Sequence, residues 1–284
     1  MGPLLTSKVH EILLAASTSP GGSPSSAAGQ GGILNSVRCS LDLDRSTTQV
    51  DVAADHWLFE GQRYPFLSTC KDRTIYHWAG SDFQPVARYT QALIKLVPTE
   101  WGAPTFEIDG IKMLPTAQLS PYEDAQRKVM SIRPRGKVIL DTCGGLGYFA
   151  SCCLQAEAAR VNSYEKNPDV IWLRGINPWS PQADGRLQLE NADVTAAITL
   201  IPDGSFDAVL HDPPRFGIAG ELYSQSFYEQ LARVLKAGGM LFHYTGAPNK
   251  LTSGRDVPNE VAGRLRRAGF TPEVRGDGLL ARRR

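Results

Sequence analysis

Four acidic residues recur at matching places in the C-terminal half of the chain: Asp141, Glu165, Asp193 and Asp212. Each follows a short strand-like run. The first closes Val138-Ile-Leu and opens a small-residue loop with Cys143, Gly144, Gly145 and Gly147, before a helix-like stretch from Tyr148 to Ala158. Glycine lets the backbone turn sharply and approach a ligand closely. Strand, glycine-rich turn and helix therefore read as the first half of a nucleotide-binding βαβ unit. Glu165 ends the next run, where a carboxylate accepts hydrogen bonds from both ribose hydroxyls of a nucleoside. Asn191-Ala-Asp193 offers an amide or an acid to an adenine amino group. A fourth run ends in His211-Asp212-Pro213-Pro214-Arg215-Phe216, and a fifth, led in by Gly238-Gly239, ends in His243-Tyr244. Asp212, His211, His243 and Tyr244 are the side chains placed to accept a proton from an attacking nucleophile.

These positions need a scaffold, and the C-terminal half supplies one. The pattern predicts strands at Val138–Leu140, Val161–Glu165, Leu187–Glu190, Phe206–His211 and Gly239–Tyr244. Helices are predicted at Tyr148–Ala158, Pro168–Ile176, Val194–Leu200, Ser224–Leu235 and Pro258–Ala268, with two last strands at Thr271–Val274 and Gly278–Ala281. Such alternation implies an α/β, Rossmann-like doubly wound sheet with its ligand at the C-terminal strand ends. A helix opened by Ser120-Pro121 delivers the chain to the first strand. Ser120 suits an N-cap, and Glu123 completes a capping box with it. Tyr122, Glu123 and Asp124 are equally placed to face a ligand. Tyr223 and Arg255 lie in loops after the fourth and fifth strands, where they form a lid, hold a substrate carboxylate or are simply solvated.

Residues 1–36 read as a flexible N-terminal segment, rich in Ser, Gly, Pro and Ala from Ser17 to Gly32. Residues 37–119 read as a small β-rich domain, and residues 120–284 as the nucleotide-binding domain. In the β-rich part Asp109-Gly110 marks a hairpin, Val86–Val97 reads as a helix, and Trp57, Trp78 and Trp101 read as core. The chain has 284 residues, 42% of them hydrophobic, enough for a real core. Its net charge of +1 gives no overall footprint for nucleic acid. No run is long enough to span a membrane, and no secretory signal pattern is seen. Five cysteines (Cys39, Cys70, Cys143, Cys152, Cys153) form neither a zinc spacing nor an even disulfide framework. Free thiols in a reducing, cytoplasmic compartment and no metal are the expectation.

The strand-end set resembles the class I S-adenosylmethionine-dependent methyltransferases over roughly the last 165 residues. That resemblance implies S-adenosyl-L-methionine as cofactor, with its amino-acid end at Asp141, Cys143, Gly145 and Gly147, its ribose at Glu165 and its adenine near Asp193. Asp212 would lie beneath the transferring group. Cys143 departs from the family's acid-x-Gly-x-Gly-x-Gly loop, at a place where φ > 0 would be costly. It reads as a packing variant rather than a nucleophile. More narrowly, the chain is similar to a group of predicted methyltransferases best represented in archaea. The shared pieces are Met113-Leu-Pro-Thr, Tyr122-Glu-Asp-Ala, Asp141-Thr-Cys-x-Gly-Leu-Gly-Tyr, Asn177-Pro-Trp179, His211-Asp-Pro-Pro-Arg-Phe, Gly220-Glu-Leu-Tyr-Ser and Leu241-Phe-His-Tyr. The layout also looks like the polyamine (spermidine) synthases, which set a small β domain with a similar Ile108-Asp109-Gly110 hairpin before the same sheet.

The expected activity is methyl transfer to a nitrogen, or another nucleophile, of a small molecule, with Tyr122, Glu123, Pro213, Arg215, Tyr223 and Arg255 contacting the acceptor. Three alternatives stand beside it. Polyamine-synthase-like aminopropyl or aminocarboxypropyl transfer would need an acidic polyamine site, which Arg215 opposes. RNA amino-group methylation is suggested by the likeness of Asp212-Pro-Pro to the motif of amino-directed nucleic-acid methyltransferases. The last is a non-catalytic, cofactor-binding partner subunit. No membrane partner is expected, and pairing into a homodimer stays open.

Overall fold

The computed structural model describes residues 2–18, 32–182, 184–246 and 256–284. Arg255 and most of the Ser17–Gly32 stretch lie outside the described residues. Contacts divide the chain into two compact units, Met1–Pro121 with Ile176–Trp179, and Tyr122–Gly175 with Ser180–Arg284.

The first unit is built from short antiparallel strands: β1 (Leu4–Leu5), β2 (Ile33–Cys39), β3 (Thr48–Ala53), β4 (His56–Phe59), β5 (Gln62–Pro65), β6 (Tyr76–Trp78), β7 (Phe83–Pro85), β8 (Ala87–Tyr89), β9 (Leu93–Val97), β10 (Thr105–Ile108) and β11 (Ile111–Lys112). They form sheets in the orders β1-β6-β7, β2-β3-β4-β5 and β11-β10-β9-β8. Trp57 stacks on Tyr64 at 4.5 Å, and Phe83 and Trp78 complete the aromatic centre. Trp101 is a correction to the expected core. It is 38% exposed, with its indole N–H donated to Thr116 O.

Two further expectations change here. The first residues are not a flexible segment: helix α1 (Ser7–Thr18) and β1 bury Leu5, Val9 and Leu13 in the same core as Trp57. Val86–Val97 is not a helix but β8 and β9, paired Tyr89 to Leu93 through Ala87 to Lys95. Its apolar residues fit both periods, and pairing with β10 favours the alternating one, which buries Ile94 and Leu96. At the β10–β11 hairpin, Asp109 and Gly110 both take positive φ (48° and 76°), as a two-residue type I′ turn requires.

The second unit carries β12 (Val138–Asp141), β13 (Arg160–Tyr164), β14 (Leu187–Glu190), β15 (Phe206–His211), β16 (Leu235–Tyr244), β17 (Phe270–Arg275) and β18 (Gly278–Arg283) in the order β14-β13-β12-β15-β16-β18-β17. β12 to β16 run parallel, and β18 is antiparallel to both its neighbours. The helices are α2 (Pro121–Ser131), α3 (Tyr148–Gln155), α4 (Pro168–Ile176), α5 (Val194–Ala197), α6 (Gln225–Val234) and α7 (Val257–Arg267), with 3₁₀ turns at Ile198–Leu200 and Gly220–Tyr223. The chain steps outward from β12 through β13 to β14, then returns to lay β15 on the other side of β12. Right-handed crossovers on the two halves place their helices on opposite faces. The order thus reverses between β12 and β15, and a crevice opens at the C-terminal ends of that pair. Lys236 to Gly239 bulge out of β16, because its pairing with β15 jumps from Leu235 to Met240. Beneath the crevice Leu140, Val209, Leu231, Leu241 and Phe270 form one buried core.

Candidate functional site

The loop after β12 leads into the N-terminus of α3, and its glycines serve different ends. Gly145 and Gly147 take positive φ (50° and 80°). Gly144 does not, but a Cβ there would run into Ser163 Oγ and lie 3.1 Å from Arg174 Nη1. A Cβ on Gly147 would stand 2.6 Å from Arg174 Cζ. The loop is therefore laid directly over a buried arginine of α4. Cys143 is absent from the positive-φ positions, so the residue that departs from an all-glycine loop sits where no glycine is needed. Burial keeps its thiol pKa well above the ordinary value, which leaves it a protonated thiol.

Asp141 ends β12 with no exposure. Its Oδ2 accepts from Ser163 Oγ at 2.8 Å, and Arg174 Nη1 donates to the same hydroxyl at 3.3 Å. Burial pushes the Asp141 pKa up to about 6, against the pull of Ser163 and Arg174. Asp141 Oδ1 and Arg174 Nη2 are buried without a hydrogen-bond partner in the protein. Glu165, just past β13, accepts from Gly145 N–H at 2.9 Å and from Asn167 N–H at 2.8 Å. One bond thus ties the acid of β13 to the loop of β12, and each carboxylate oxygen retains a lone pair. Burial raises the Glu165 pKa despite both bonds. Asp193 is already engaged as the N-cap of α5. Its Oδ1 takes Thr195 N–H at 2.9 Å and its Oδ2 pairs with Lys166 Nζ at 2.8 Å. Against burial, these partners hold its pKa below the usual value.

At the end of β15 the predicted residues separate. His211 is fully buried. Thr142 Oγ1 lies 2.7 Å from its Nδ1, and Nε2 lies 3.1 Å from Leu222 O, which fixes the proton on Nε2. Burial lowers its pKa to about 4. His243 is likewise buried, with Nδ1 donating to Tyr244 O at 2.8 Å and Nε2 accepting from Tyr228 OH at 2.9 Å. Burial drives its pKa well below the ordinary value. The expectation that either histidine accepts a proton from substrate is corrected: both nitrogens of each ring are used inside the protein. The two rings pack 4.4 Å apart and, with Tyr223 and Tyr228, form the polar floor of the strand ends.

Asp212 differs, with 21% of its side chain exposed. Burial raises its pKa, and Lys128 partly opposes this. Pro213 is buried behind it, while Arg215 is exposed on the following turn. Tyr223 is not a solvent lid: it is 3% exposed and donates to Pro214 O at 3.1 Å, pinning the Pro-Pro loop. Tyr122 packs edge-on to Tyr148 at 5.4 Å, and its hydroxyl lies 2.8 Å from Ser151 Oγ. Glu123 is exposed on α2, whereas Asp124 beside it is buried. Tyr244, at the end of β16, lies under the Lys128 ammonium.

Sequence reasoning passed over four residues of this arrangement: Lys128, Thr142, Ser163 and Arg174. The signals were slight. Lys128 stands four residues after Asp124, a helical ion-pair spacing. Arg174 is the cation that closes the apolar stretch Val170-Ile-Trp-Leu. Among the described residues no group of three or more His, Cys, Asp or Glu could hold a metal ion, and no helix is long and apolar enough to cross a membrane.

An open cleft of about 880 Å³ lies elsewhere in this unit, lined by Arg133, Lys137, Met240 and Arg282. It is at the N-terminal ends of β12 and β16 and includes none of the predicted site residues.

The seven-stranded order, its single antiparallel insertion and the loop–acid bond define a Rossmann-like class I sheet of the kind shared by S-adenosylmethionine-dependent methyltransferases and spermidine synthases. Solved structures bear out that fold. A spermidine synthase in complex with the transition-state analogue AdoDATO matches 69% of this chain and 72% of its own, at TM-score 0.54 and 17% identity. Spermidine synthase from Thermotoga maritima matches 69% of this chain and 71% of its own, at TM-score 0.51 and 17% identity. No family model matches the sequence. An uncharacterized protein of Methanocaldococcus jannaschii is 46% identical over 188 residues, which cover 66% of this chain and 64% of that protein. The chain thus spans under two thirds of that relative's length.

Proposed function

We propose that the second unit binds S-adenosyl-L-methionine and transfers its methyl group to a nitrogen of a small molecule. The observation that carries this reading is the Gly145 N–H bond to Glu165. It ties a glycine loop at a helix N-terminus to the acid that ends the neighbouring strand, beside the switch point of the sheet. The loop fits such a cofactor: Gly145 and Gly147 hold its turn at positive φ at the start of α3, and the acid beside it has lone pairs for two ribose hydroxyls. The loop, resting on the sealed Asp141, would take the amino-acid end, Glu165 the ribose and the Asp193 turn the adenine; the expectation that Asp141 itself touches the cofactor is corrected by its burial. When bound, the cofactor supplies a methyl group on a sulfonium, already activated for displacement.

The protein's own part is to orient the acceptor and accept its proton. Asp212 is the group best placed to do so, because its carboxylate is partly open where His211 and His243 are sealed. The buried His211–Thr142 contact and the Tyr223–Pro214 bond hold the Asp-Pro-Pro turn in place, so its carboxylate meets the acceptor without rearrangement. A cytoplasmic setting is part of the same proposal, with all five cysteines free.

Aminopropyl transfer is the second reading, favoured by the likeness to the spermidine synthases. Isotopic labelling tests the two. Incubation with S-adenosylmethionine labelled in the methyl carbon should label the acceptor. Label delivered instead from the propyl carbons of the decarboxylated cofactor would sink methyl transfer. Absence of cofactor binding by calorimetry would sink both. Affinity for RNA that falls steeply with salt would move the acceptor from small molecules to nucleic acid.

A further inference from the structure

The carboxylate that closes β15 already has a cation beside it. Lys128 projects from the last turn of α2 with its side chain only 3% exposed, and its ammonium stands 2.7 Å from Asp124 Oδ2 and 3.3 Å from Asp212 Oδ2. The same nitrogen lies 4.3 Å from the centroid of the Tyr244 ring and 5.9 Å from that of Phe149. Two carboxylates and an aromatic face are the surroundings that recognise an alkylammonium. Asp277 adds another negative charge nearby. Burial alone would lower the Lys128 pKa, but Asp212 and Asp124 more than reverse that, so the group stays charged and is no base.

Asp124, one helical turn away, already pairs with Lys128. The second acid is the one at the ligand crevice. We propose that Lys128 is a specificity residue: its ammonium fills the place an alkylamine would take beside Asp212. The acceptor site thereby turns away diamines and polyamines and takes an acceptor whose reacting nitrogen is uncharged, such as an amide or a heteroaromatic amine. This rests on the reading of Asp212 as the acid that faces the acceptor. A protonated amine entering there meets a like charge and finds Asp124 and one oxygen of Asp212 already engaged, the repulsive half of a specificity device. Asp212 spends Oδ2 on Lys128 and keeps Oδ1 to accept an N–H from a neutral acceptor.

The test is Lys128→Ala in the full chain, titrated by calorimetry with propylamine and 1,4-diaminobutane. Propan-1-ol, of propylamine's length but uncharged, is the control, with ionic strength matched throughout. The variant should bind both amines at least tenfold more tightly than the wild type, and the control should bind to neither. Equal amine affinity in the folded variant and the wild type overturns the proposal. If Lys128→Ala does not fold, recovery of its native circular dichroism by propylamine but not by propan-1-ol supports the proposal, and no recovery overturns it. S-adenosylmethionine is titrated separately into the wild type. Failure of that titration removes the cofactor reading, whereas failure of the amine titration removes only the role of Lys128.

Discussion

β12 ends in Asp141 and β15 is followed by Asp212, on adjacent strands of one sheet, and each acid has a buried cation near it. Arg174 reaches Asp141 through the Ser163 hydroxyl, and Lys128 touches Asp212 directly. The first pair is sealed beneath the glycine loop, with Asp141 wholly buried. The second pair is open, with a fifth of the Asp212 side chain exposed. Acids at neighbouring strand ends can thus carry opposite tasks. A sealed acid shapes the backbone above it, and an open one is left to meet a ligand. Exposure, rather than sequence pattern, separates them.

The largest effect should come from breaking the sealed pair. Arg174→Met removes the cation, leaves Asp141 buried without counter-charge and takes away the surface on which Gly144 and Gly147 rest. Losing one partner of a buried pair costs roughly 3–5 kcal/mol, and urea unfolding should show a loss of that order. A loss under about 1 kcal/mol would mean that Arg174 is a bystander and the loop holds itself.

Asp212→Asn should behave in the opposite way. Lys128 keeps Asp124 as a partner, so stability should change little. Turnover should fall by about 10²–10⁴, the usual share of a positioned proton acceptor, with cofactor affinity unchanged. Retained turnover in the folded variant would erase the distinction between the two acids.

A pH titration sharpens the comparison. The folded-state pKa of Asp141 is about 6, above the ordinary carboxylate value because of burial. Between about pH 4 and 6 the folded chain then holds a proton that the unfolded chain has released. Stability from this group is full below the unfolded pKa and declines as pH rises through that window, by about 2–3 kcal/mol in total. Asp141→Asn should remove this slope from the difference between variant and wild-type unfolding curves. Parallel curves for the two proteins would show that Asp141 is ionised without strain.

Much of this arrangement was legible in the residues, for reasons that also explain what was not. Central parallel strands are buried on both faces, so Ile139, Leu140 and Ala208–Leu210 read as plain apolar runs. The acids ending them stood out by contrast. Val86–Val97 misled because a short stretch cannot tell the two periods apart until a partner strand is known. His211 and His243 looked like bases because sequence gives residue type but not burial. Lys128 was invisible for the converse reason: a lysine on an amphipathic helix usually faces water, and only the packing of α2 against the ends of β15 and β16 buries it.

Glu165→Ala tests the link between loop and ribose site, and should be milder. It removes two hydrogen bonds from backbone N–H groups to a carboxylate, at Gly145 and Asn167. Bonds to a charged group are worth about 1.5–3 kcal/mol, so calorimetric affinity for S-adenosylmethionine should fall about 10- to 100-fold. Turnover at saturating cofactor should be little changed. Equal cofactor affinity in the variant would remove Glu165 from the binding site.

The smallest effect belongs to Cys143, which shares the loop with the three glycines. If the loop demanded glycine throughout, any side chain at 143 would be a strained compromise, and removing the thiol would help or harm markedly. The backbone argues otherwise: positive φ falls at Gly145 and Gly147 but not at Cys143. The thiol is half-buried, and burial keeps it protonated, so it has no nucleophilic part to lose. It packs against the core that contains Leu140 and Val209. Cys143→Ala therefore removes one sulfur from a tolerant position. Stability should drop by about 1 kcal/mol or less, with activity within about twofold of wild type. Complete loss of turnover in a stable, cofactor-binding Cys143→Ala chain would make the thiol a participant in the chemistry, and the sealed side of the site would then no longer be purely structural.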